Sequence, residues 1–521
     1  MLTSLDLVVL AVYLVGVTVF GLLAGGRQRN ESDYFLGGRT LPWWAVCFSI
    51  VATETSTLTV IGIPAVAYLG TLAFFQLTFG YLLGRIVVAA YFVPKYYTGS
   101  FVSAYGFLER RFGKRMQIAA SGTFMVTRLL ADGVRLFASA IPIKVIADAA
   151  GWSVGYFEII LCIGLVTIAY TYVGGIKAVV WMDVVQMMIY LGGAVWAVII
   201  LMNGLPDQWF TQIADSGKSS LIVWGLGGTF GDWVTSPYTL ITATIGGAIF
   251  SLASHGTDQL IVQRLLACRN QSESRKAIVV SALVVMFQFA LFLAVGLLLW
   301  IHYDGASLSA LGLSRGDEVF PKFIIEGMPP GVSGLLLAGI LAAAMSTLSA
   351  SLNALASSSV VDVYHHIRKS AKGSDNLMVS RIFTLIWGVI FIAFANLFEN
   401  QQNPVVELGL AIASFTYGGL LGAFLLGMLG AKIRQREALW AFGVAIAFMV
   451  WVIFGIWYSP ETQSWVFTFY PSASVKAALS LRGIAWPWYP AIGAGAMLFF
   501  GEIARRIAGP HEPMQDERLV N

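Results

Sequence analysis

Charged residues are scarce in this chain of 521 residues: aspartate, glutamate, lysine and arginine together make up 12% of it. Soluble domains carry about 25% charged and about 45–50% apolar residues, whereas 57% of this sequence is hydrophobic. A soluble protein of this size could not bury so much apolar surface. The composition therefore excludes a soluble protein and predicts an integral membrane protein.

Cysteine and catalytic motifs are also lacking. The three cysteines, Cys47, Cys162 and Cys268, lie far apart and form neither a disulfide framework nor a zinc-binding spacing. The sequence contains no HExxH, GxSxG or Walker motif. The net charge of +4 is small and scattered, which excludes a basic nucleic-acid-binding domain. We therefore expect neither an enzyme nor a nucleic-acid-binding protein.

Long apolar stretches are abundant instead. A helix needs about 20 apolar residues to cross the hydrocarbon layer, and these runs lack the alternation of β-barrel strands. Thirteen stretches qualify, at 4–24, 43–68, 72–94, 116–147, 155–173, 177–202, 238–263, 277–302, 331–362, 377–398, 404–430, 437–458 and 485–504. The sequence predicts an all-α polytopic membrane protein with one transmembrane domain, 1–508, and a short tail, 509–521.

Positive charge is distributed unevenly between the loops. Most lysines and arginines fall on one side of the membrane if the N-terminus lies outside. The positive-inside rule therefore predicts an outside N-terminus and a cytoplasmic C-terminal tail in a plasma membrane, such as a bacterial inner membrane. The first span has no preceding basic residue and no small-residue cleavage site after it, so we expect no cleaved signal peptide.

Five charged residues lie inside predicted spans, where each costs about 2.5–3.5 kcal/mol to insert. They are Glu54, Arg85, Arg128, Asp132 and Arg135. The last three are spaced i, i+4 and i+7 and therefore share one helical face. Two interpretations stay open: a structural ion-pair network, or contact of the spare positive charge with Glu54 or with a substrate carboxylate. The role of Arg85 also stays open.

A run of small and polar residues interrupts the second predicted span. Residues 52–57 read ATETST, and Gly62 and Pro64 follow. Irregular backbone at membrane depth is tolerated where it lines a cavity or is buried in protein, and its freed carbonyls can coordinate a cation. The alternative is that these hydroxyls bond to their own helix. Glycine-broken stretches also predict interrupted helices at 238–263 and 404–430.

A second polar stripe lies in the ninth span. Ser346, Ser349 and Asn353 share one face, and Thr347 adjoins it. Small residues of this kind permit close helix packing. Hydroxyl and carbonyl oxygens also suit a hard alkali cation. The stripe alone does not separate the two interpretations.

Four segments resemble the sodium:solute symporter family, which includes carriers of sugars, proline, sialic acid and monocarboxylates. They are residues 33–39, the run GGIKAVVWMDVVQ at 174–186, residues 258–264 and residues 343–353. The resemblance implies a leucine-transporter-like fold with a 5+5 inverted repeat, about 43–202 and 238–430, one preceding helix and two following ones. It also implies a sodium-coupled symporter that imports a small organic solute by alternating access.

The resemblance further implies a sodium ion between the second and ninth spans. Its ligands would be the carbonyls of Ala52, Thr55 and Ala343 and the hydroxyls of Ser346 and Thr347. Some members of the family have a second sodium site, to which Asp183 and Ser349 would correspond. Ala350 stands where a further hydroxyl is expected, so we expect coupling to one sodium ion.

The solute pocket is also transferred from the resemblance. Its matching positions here are Glu54, Ser56, Thr59, Thr78, Ala131, Phe415 and Tyr417. Arg128 and Arg135 lie one turn to either side of Ala131, and we expect them to contact the solute. The formal charges favour a carboxylate-bearing or zwitterionic solute over a sugar, which stays an alternative. A proton-coupled carrier using Glu54 is a further alternative, and a membrane sensor is a remote one. The expected partners are the solute, sodium and membrane lipid, without nucleic acid or an obligatory protein partner.

Overall fold

The computed structural model describes residues 3–509, except 100, 150, 226, 369–376, 399–404 and 431–432. The helices of the first half are α1 (Ser4–Ala24), α2 (Glu31–Leu36), α3 (Trp43–Glu54), α4 (Thr57–Leu69), α5 (Leu77–Val87), α6 (Val93–Thr98), α7 (Gly106–Phe112), α8 (Lys114–Ala149), α9 (Tyr156–Asn203), α10 (Trp209–Ser216) and α11 (Phe230–Thr235). A π-turn, Val88–Phe92, joins α5 to α6.

The second half is also helical. Its helices are α12 (Gly247–Gly256), α13 (Gln259–Leu266), α14 (Gln271–His302), α15 (Val319–Glu326), α16 (Val332–Ser358), α17 (His365–Arg368), α18 (Leu377–Ala395), α19 (Val405–Met428), α20 (Gln435–Gly455), α21 (Ala473–Ala478) and α22 (Tyr489–Ala508). Further π-turns are Thr242–Gly246 and Ser359–Tyr364. A small antiparallel sheet, β1 (Ile456–Ser459), β2 (Ser464–Phe467) and β3 (Arg482–Gly483), has the order β2-β1-β3.

Apolar helices of membrane-spanning length dominate the fold. Within the described residues, seven helices are long and apolar enough to cross a membrane, or up to eight if the bent pair α3–α4 forms one span. The prediction of a polytopic helical membrane protein is confirmed to that extent. The count of thirteen spans and the inverted repeat stay predictions.

The predicted break in the second span is present. Helix α3 ends at Glu54, Thr55 and Ser56 have extended backbone, and α4 continues at an angle of 67°. A comparable break separates α12 from α13, where Asp258 caps the second helix through the backbone N–H of Leu260. The predicted interruption at 404–430 is wrong: α19 runs through Gly418 and Gly419 as one helix.

Helix α16 lies at the centre of the bundle. It packs against α1, α3, α4, α8, α9 and α13, and nearly all of its residues are buried. Alanine, serine and glycine dominate its sequence, and their small side chains let neighbouring backbones approach closely. This central position brings α16 against both the broken helix α3–α4 and the long helix α8.

Gly175 interrupts the helical backbone within α9. Its φ of 55° and ψ of −154° fall in a region that is essentially restricted to glycine. A Cβ atom there would lie 2.6 Å from the carbonyl oxygen of Tyr34. Gly175→Ala should therefore lower the free energy of unfolding by at least about 1–3 kcal/mol, the cost of the backbone strain alone. Thermal unfolding of the detergent-purified protein would measure this loss.

The matched control for that substitution is Gly192→Ala. Gly192 lies in the same helix, and no atom of the described residues comes within 4 Å of the place that an added methyl group would take. Alanine there should leave stability unchanged or raise it, because alanine is the better helix former. Equal melting temperatures for Gly175→Ala and the wild type would contradict the argument.

Candidate functional site

A cavity of about 280 Å³ lies beside the break between α3 and α4. Six of the predicted solute-binding residues line it: Glu54, Ser56, Thr59, Arg128, Arg135 and Tyr417. Aromatic side chains form much of the remaining wall, namely Phe74, Tyr81, Tyr238, Phe250, Phe289 and Trp486. The site thus combines apolar walls with a few charged groups, which is the usual composition of a small-molecule pocket.

Glu54 is held at the end of α3 by two partners. One carboxylate oxygen forms an ion pair with Arg85, and the other lies 3.0 Å from Nε2 of His255. Arg85 also donates to the hydroxyl of Ser281, at 2.6 Å. The Arg85 side chain is fully buried, whereas 23% of the Glu54 side chain is exposed. Arg85 is therefore the structural partner of Glu54, and Glu54 retains a face towards the cavity.

The basic residues of α8 have different surroundings. Arg128 forms an ion pair with Asp258 and a hydrogen bond with Tyr417, and it lies 3.4 Å from Asp132. Arg135 lies 3.0 Å from Asp132. The suggestion that the spare positive charge contacts Glu54 is wrong, because Asp258 neutralises Arg128 and Arg85 neutralises Glu54.

The side chains of Arg128 and Arg135 differ in how much of their surface is exposed. The Arg128 side chain is 5% exposed and the Arg135 side chain 23%. Asp132, which contacts both, also accepts a 2.5 Å hydrogen bond from Ser351 of α16. Arg128 therefore belongs to a buried network that joins α8, α16 and α19. Arg135 is the base of α8 that presents more of its guanidinium to the cavity.

The predicted sodium ligands lie where the broken helix meets α16. Ala52, Thr55, Ala343, Ser346 and Thr347 are all buried. The hydroxyl of Thr347 donates to the carbonyl of Ala343 at 3.1 Å. The hydroxyl of Thr57, just past the break, donates to the carbonyl of Ile340 at 3.1 Å. The start of α4 is thus in direct contact with the backbone of α16, at a residue that precedes the hydroxyl stripe.

Asp183 joins this region from α9. Its carboxylate accepts hydrogen bonds from Ser346 at 2.6 Å and from Ser49 at 2.5 Å. Arg264 of α13 forms an ion pair with it at 3.1 Å, and both side chains are fully buried. Ser349 donates instead to the carbonyl of Ser346, at 3.0 Å. Asp183 therefore already has a cationic partner supplied by the protein.

Two predicted pocket residues, Thr78 and Ala131, are absent from the described cavity lining, and the side chain of a third lies outside the described part of the structure. Thr78 is fully buried, donates to the carbonyl of Phe75 at 2.7 Å, and is absent from the described lining. The assignment of both residues to the pocket stays a prediction. The side chain of Phe415 lies outside the described part of the structure.

Sequence reasoning does not assign His255, Asp258 or Arg264 to the site. In the sequence, His255 stands out only as the neighbour of a glycine, and Asp258 and Arg264 only as members of a segment that carries the family resemblance. A polar residue in an apolar span is a signal that such a residue has a partner. The identity of the partner depends on how α12 and α13 pack against α3, α8 and α9.

Comparisons with known proteins agree with this architecture. The model of the sodium:solute symporter family matches residues 34–444. The human sodium/iodide cotransporter is 29% identical over 486 residues, covering 92% of this chain and 74% of its own. A sodium/sialic acid symporter of Aliivibrio fischeri is 28% identical over 459 residues, covering 86% of this chain and 88% of its own.

Solved structures show the same fold. An outward-open, Na⁺-coupled sialic acid symporter superposes with a TM-score of 0.81 at 24% identity, covering 98% of this chain and all of the other. Mhp1, a nucleobase-cation-symport-1 transporter, gives 0.54 at 12% identity, covering 94% and 99%. These neighbours support the leucine-transporter-like fold class. The chain belongs to the sodium:solute symporter family and is a multi-pass, sodium-coupled membrane transporter rather than an enzyme.

Proposed function

We propose that the protein imports a small polar solute carrying a carboxylate, either as an anion or as a zwitterion, together with one sodium ion. Import by alternating access would proceed across a bacterial inner membrane, with the N-terminus outside and the C-terminus cytoplasmic. The observation that carries the solute class is the pair of partly exposed charges, Glu54 and Arg135, on one cavity. The solute would be the partner that completes their hydrogen bonding.

The hydrogen bonds of Arg135 leave capacity for a ligand. A guanidinium has five N–H donors, and one Arg135 nitrogen contacts Asp132. Asp132 is shared with Arg128 and Ser351, so it does not saturate Arg135. A carboxylate can occupy the remaining donors in a bidentate arrangement. An ammonium group of a zwitterion would find its counterpart in the exposed face of Glu54.

The packing of the helix break against α16, with all five predicted ligand residues buried, supports the sodium position. Carbonyls of an unwound segment are ligands that broken helices provide to sodium in transporters, and hydroxyl oxygens of a facing helix also suit a hard cation. A sodium ion bound to Ser346 and Thr347 would tie α16 to α3 and fix the wall of the cavity at Glu54 and Ser56. Solute and ion would then favour the same state, and their coupling is reciprocal.

The sodium assignment predicts the behaviour of Ser346→Ala and Thr347→Ala. Each variant should raise the sodium concentration needed for half-maximal uptake by about five- to tenfold, because one cation ligand worth about 1–1.5 kcal/mol is removed. Uptake into proteoliposomes measures this at saturating solute. Ser333→Ala, at the far end of the same helix, is the control and should leave sodium dependence unchanged. Unchanged sodium affinity in both variants would remove these ligands.

The solute assignment predicts the behaviour of Arg135→Gln. Sugars, amino acids, monocarboxylates and sugar acids would be screened for thermal stabilisation in sodium and in choline buffer. A carboxylate-bearing solute should stabilise only in sodium, and Arg135→Gln should weaken its binding roughly 10- to 150-fold, the value of a charged hydrogen bond of about 1.5–3 kcal/mol.

Arg135→Lys is the matched control for that loss. Lysine retains the charge but lacks the planar fork, so it should recover part of the affinity. Stabilisation by neutral sugars alone would contradict the proposed solute class. Uptake driven by a pH gradient in sodium-free buffer would contradict sodium coupling and favour proton coupling through Glu54.

A further inference from the structure

Helix α14 packs against both halves of the broken helix α3–α4. It approaches α4 closely at Gly296, where an added Cβ atom would lie 2.1 Å from the carbonyl oxygen of Pro64. Two polar side chains of this apolar helix, Ser281 and Gln288, are fully buried. Their i, i+7 spacing places them on one face of the helix. A polar residue in an apolar span indicates a partner on a neighbouring helix.

The partners of these two side chains are consecutive residues at the helix break. Ser281 accepts a hydrogen bond from Arg85 at 2.6 Å, and Arg85 forms the ion pair with Glu54. Gln288 contacts Thr55 directly: its Nε2 donates to the Thr55 hydroxyl at 2.7 Å, and its amide oxygen lies 3.1 Å from the same hydroxyl. Helix α14 therefore supports the break at the point where α3 ends.

Thr55 is held by three hydrogen bonds. Its backbone N–H and its hydroxyl both donate to the carbonyl of Val51, at 3.0 Å and 2.8 Å. A hydroxyl has one donor and two acceptor positions, so the bond to Val51 uses the proton and Gln288 donates to a lone pair. Both the main chain and the side chain of Thr55 are thus anchored. This limits where the Thr55 carbonyl oxygen can lie.

The carbonyl of Thr55 is one of the oxygens that the break makes available. Helix α3 ends at Glu54, and Thr55 has extended backbone with φ −81° and ψ 97°. Carbonyls at the end of a helix have no partner within it, and the proposed sodium position uses those of Ala52 and Thr55. Residues that orient metal ligands strongly affect metal affinity, because their loss typically costs about 10- to 100-fold.

We propose that Gln288 is a positioning residue for sodium: through the Thr55 hydroxyl it holds the Thr55 carbonyl in place for the ion between α3 and α16. The inference rests on the sodium position of the proposed function. It adds a third helix, α14, that controls sodium affinity without supplying a ligand.

Sodium alone is the probe that tests this inference. Thermal unfolding of the purified full-length chain is titrated with sodium, with choline keeping the ionic strength constant. The sodium concentration at half-maximal stabilisation reports ion affinity, whereas the melting temperature in choline alone reports the fold. Gln288→Met removes the amide and should raise that sodium concentration about tenfold. An unchanged concentration would overturn the proposal.

A double-mutant cycle tests whether Gln288 acts through Thr55. Thr55→Val removes the hydroxyl but keeps the backbone carbonyl, and it should also weaken sodium binding about tenfold. The combination with Gln288→Met should be no weaker than either single variant, because the same contact is lost only once. A combined loss near 100-fold would show two independent effects and would overturn the positioning role.

Gln76→Met is the matched control for loss of a buried glutamine. Gln76 is fully buried and donates to the carbonyls of Ala73 and Tyr238, at 3.1 Å and 3.0 Å. This variant should melt at a lower temperature in choline and keep the sodium affinity of the wild type. A tenfold loss of sodium affinity here as well would overturn the proposal in favour of a general effect of destabilisation.

Thr55→Ser provides a second test if Gln288→Met does not fold. Serine keeps the hydroxyl that accepts from Gln288, so Thr55→Ser should bind sodium about tenfold more tightly than Thr55→Val. Equal sodium affinity in these two variants would overturn the role of the hydroxyl and, with it, that of Gln288.

Ser346→Ala and Thr347→Ala separate this inference from the sodium position on which it rests. Weakened binding in these variants but not in Gln288→Met would overturn the role of Gln288 alone. Weakened binding in Gln288→Met but not in these variants would uphold Gln288 and count against the hydroxyl ligands of α16. Unchanged binding in all three would overturn both the inference and the sodium position.

Discussion

Glu54→Gln should lower the free energy of unfolding by about 3 kcal/mol, because the fully buried guanidinium of Arg85 would lose its ion-pair partner. Removing one member of a buried pair costs about 3–5 kcal/mol, and the partial exposure of Glu54 places this case at the lower end. Chemical denaturation of the purified protein would measure the loss. Transport should be lost as well, since Glu54 faces the cavity.

A second substitution separates the two roles of Glu54. Glu54→Gln combined with Arg85→Met removes both charges and should recover most of the stability, as replacement of a whole buried ion pair often does. It should not recover transport, because the cavity would still lack its carboxylate. A double variant as unstable as the single one would show that Arg85 does not depend on Glu54.

An exposed ion pair is the control for this comparison. Lys322 and Glu326 lie 2.7 Å apart on α15, with 24% and 53% of their side chains exposed. Exposed i,i+4 pairs contribute about 0.3–0.5 kcal/mol. Glu326→Gln should therefore change stability by no more than that. A loss comparable with that of Glu54→Gln would mean that burial of Arg85 is not the cause.

The sequence predicts an element correctly where the structure of that element depends on its own residues alone. The first span begins and ends at the predicted residues, 4 and 24, because a continuous apolar run leaves few alternatives. The break after Glu54 follows from consecutive small and polar residues with Gly62 and Pro64 beyond them. The interruption expected in α19 does not occur, because glycines there serve close packing: Gly418 and Gly422 contact α22 through Gly493 and Met497.

Partner choice is the part that sequence could not supply. The spacing of Arg128, Asp132 and Arg135 places them on one face, and Asp132 does contact both arginines. The pairing of Arg128 with Asp258, and of Glu54 with Arg85, depends on contacts between helices distant in sequence. Local spacing carries no information about which acid a buried base will meet.

The residues around Asp183 affect how many sodium ions the protein can bind, and these contacts too join helices that are distant in sequence. A lone Asp183 with Ser346 and Ser349 would offer oxygen ligands to a second sodium ion. Arg264 supplies a positive charge to that carboxylate at 3.1 Å, and Ala350 supplies no hydroxyl. A guanidinium in this position would compete with a metal ion for the same oxygens. The arrangement supports the expectation of one coupled sodium ion at the helix break.

The Arg264→Gln variant should therefore be much less stable than the wild type in choline buffer. Sodium should restore a substantial part of the lost stability. Removing the guanidinium leaves a fully buried carboxylate without its counter-charge, at a cost of about 3–5 kcal/mol. A sodium ion bound by Asp183, Ser346 and Ser349 would replace that charge, and binding at 100 times the dissociation constant contributes about 2.7 kcal/mol. The difference in melting temperature between variant and wild type should narrow as sodium rises.

A difference in melting temperature that narrows as sodium rises would show that sodium can take the place of the Arg264 guanidinium at Asp183. Sodium that binds elsewhere would stabilise the wild type and the variant equally and would leave the difference unchanged. Combining Arg264→Gln with Asp183→Asn removes the carboxylate as well, so the sodium-dependent recovery should disappear while stability in choline rises. If the melting temperature of Arg264→Gln stays below that of the wild type by the same amount at all sodium concentrations, Asp183 accepts a proton in the variant and does not bind a sodium ion. Arg264 would then stabilise the fold without occupying the place of an ion.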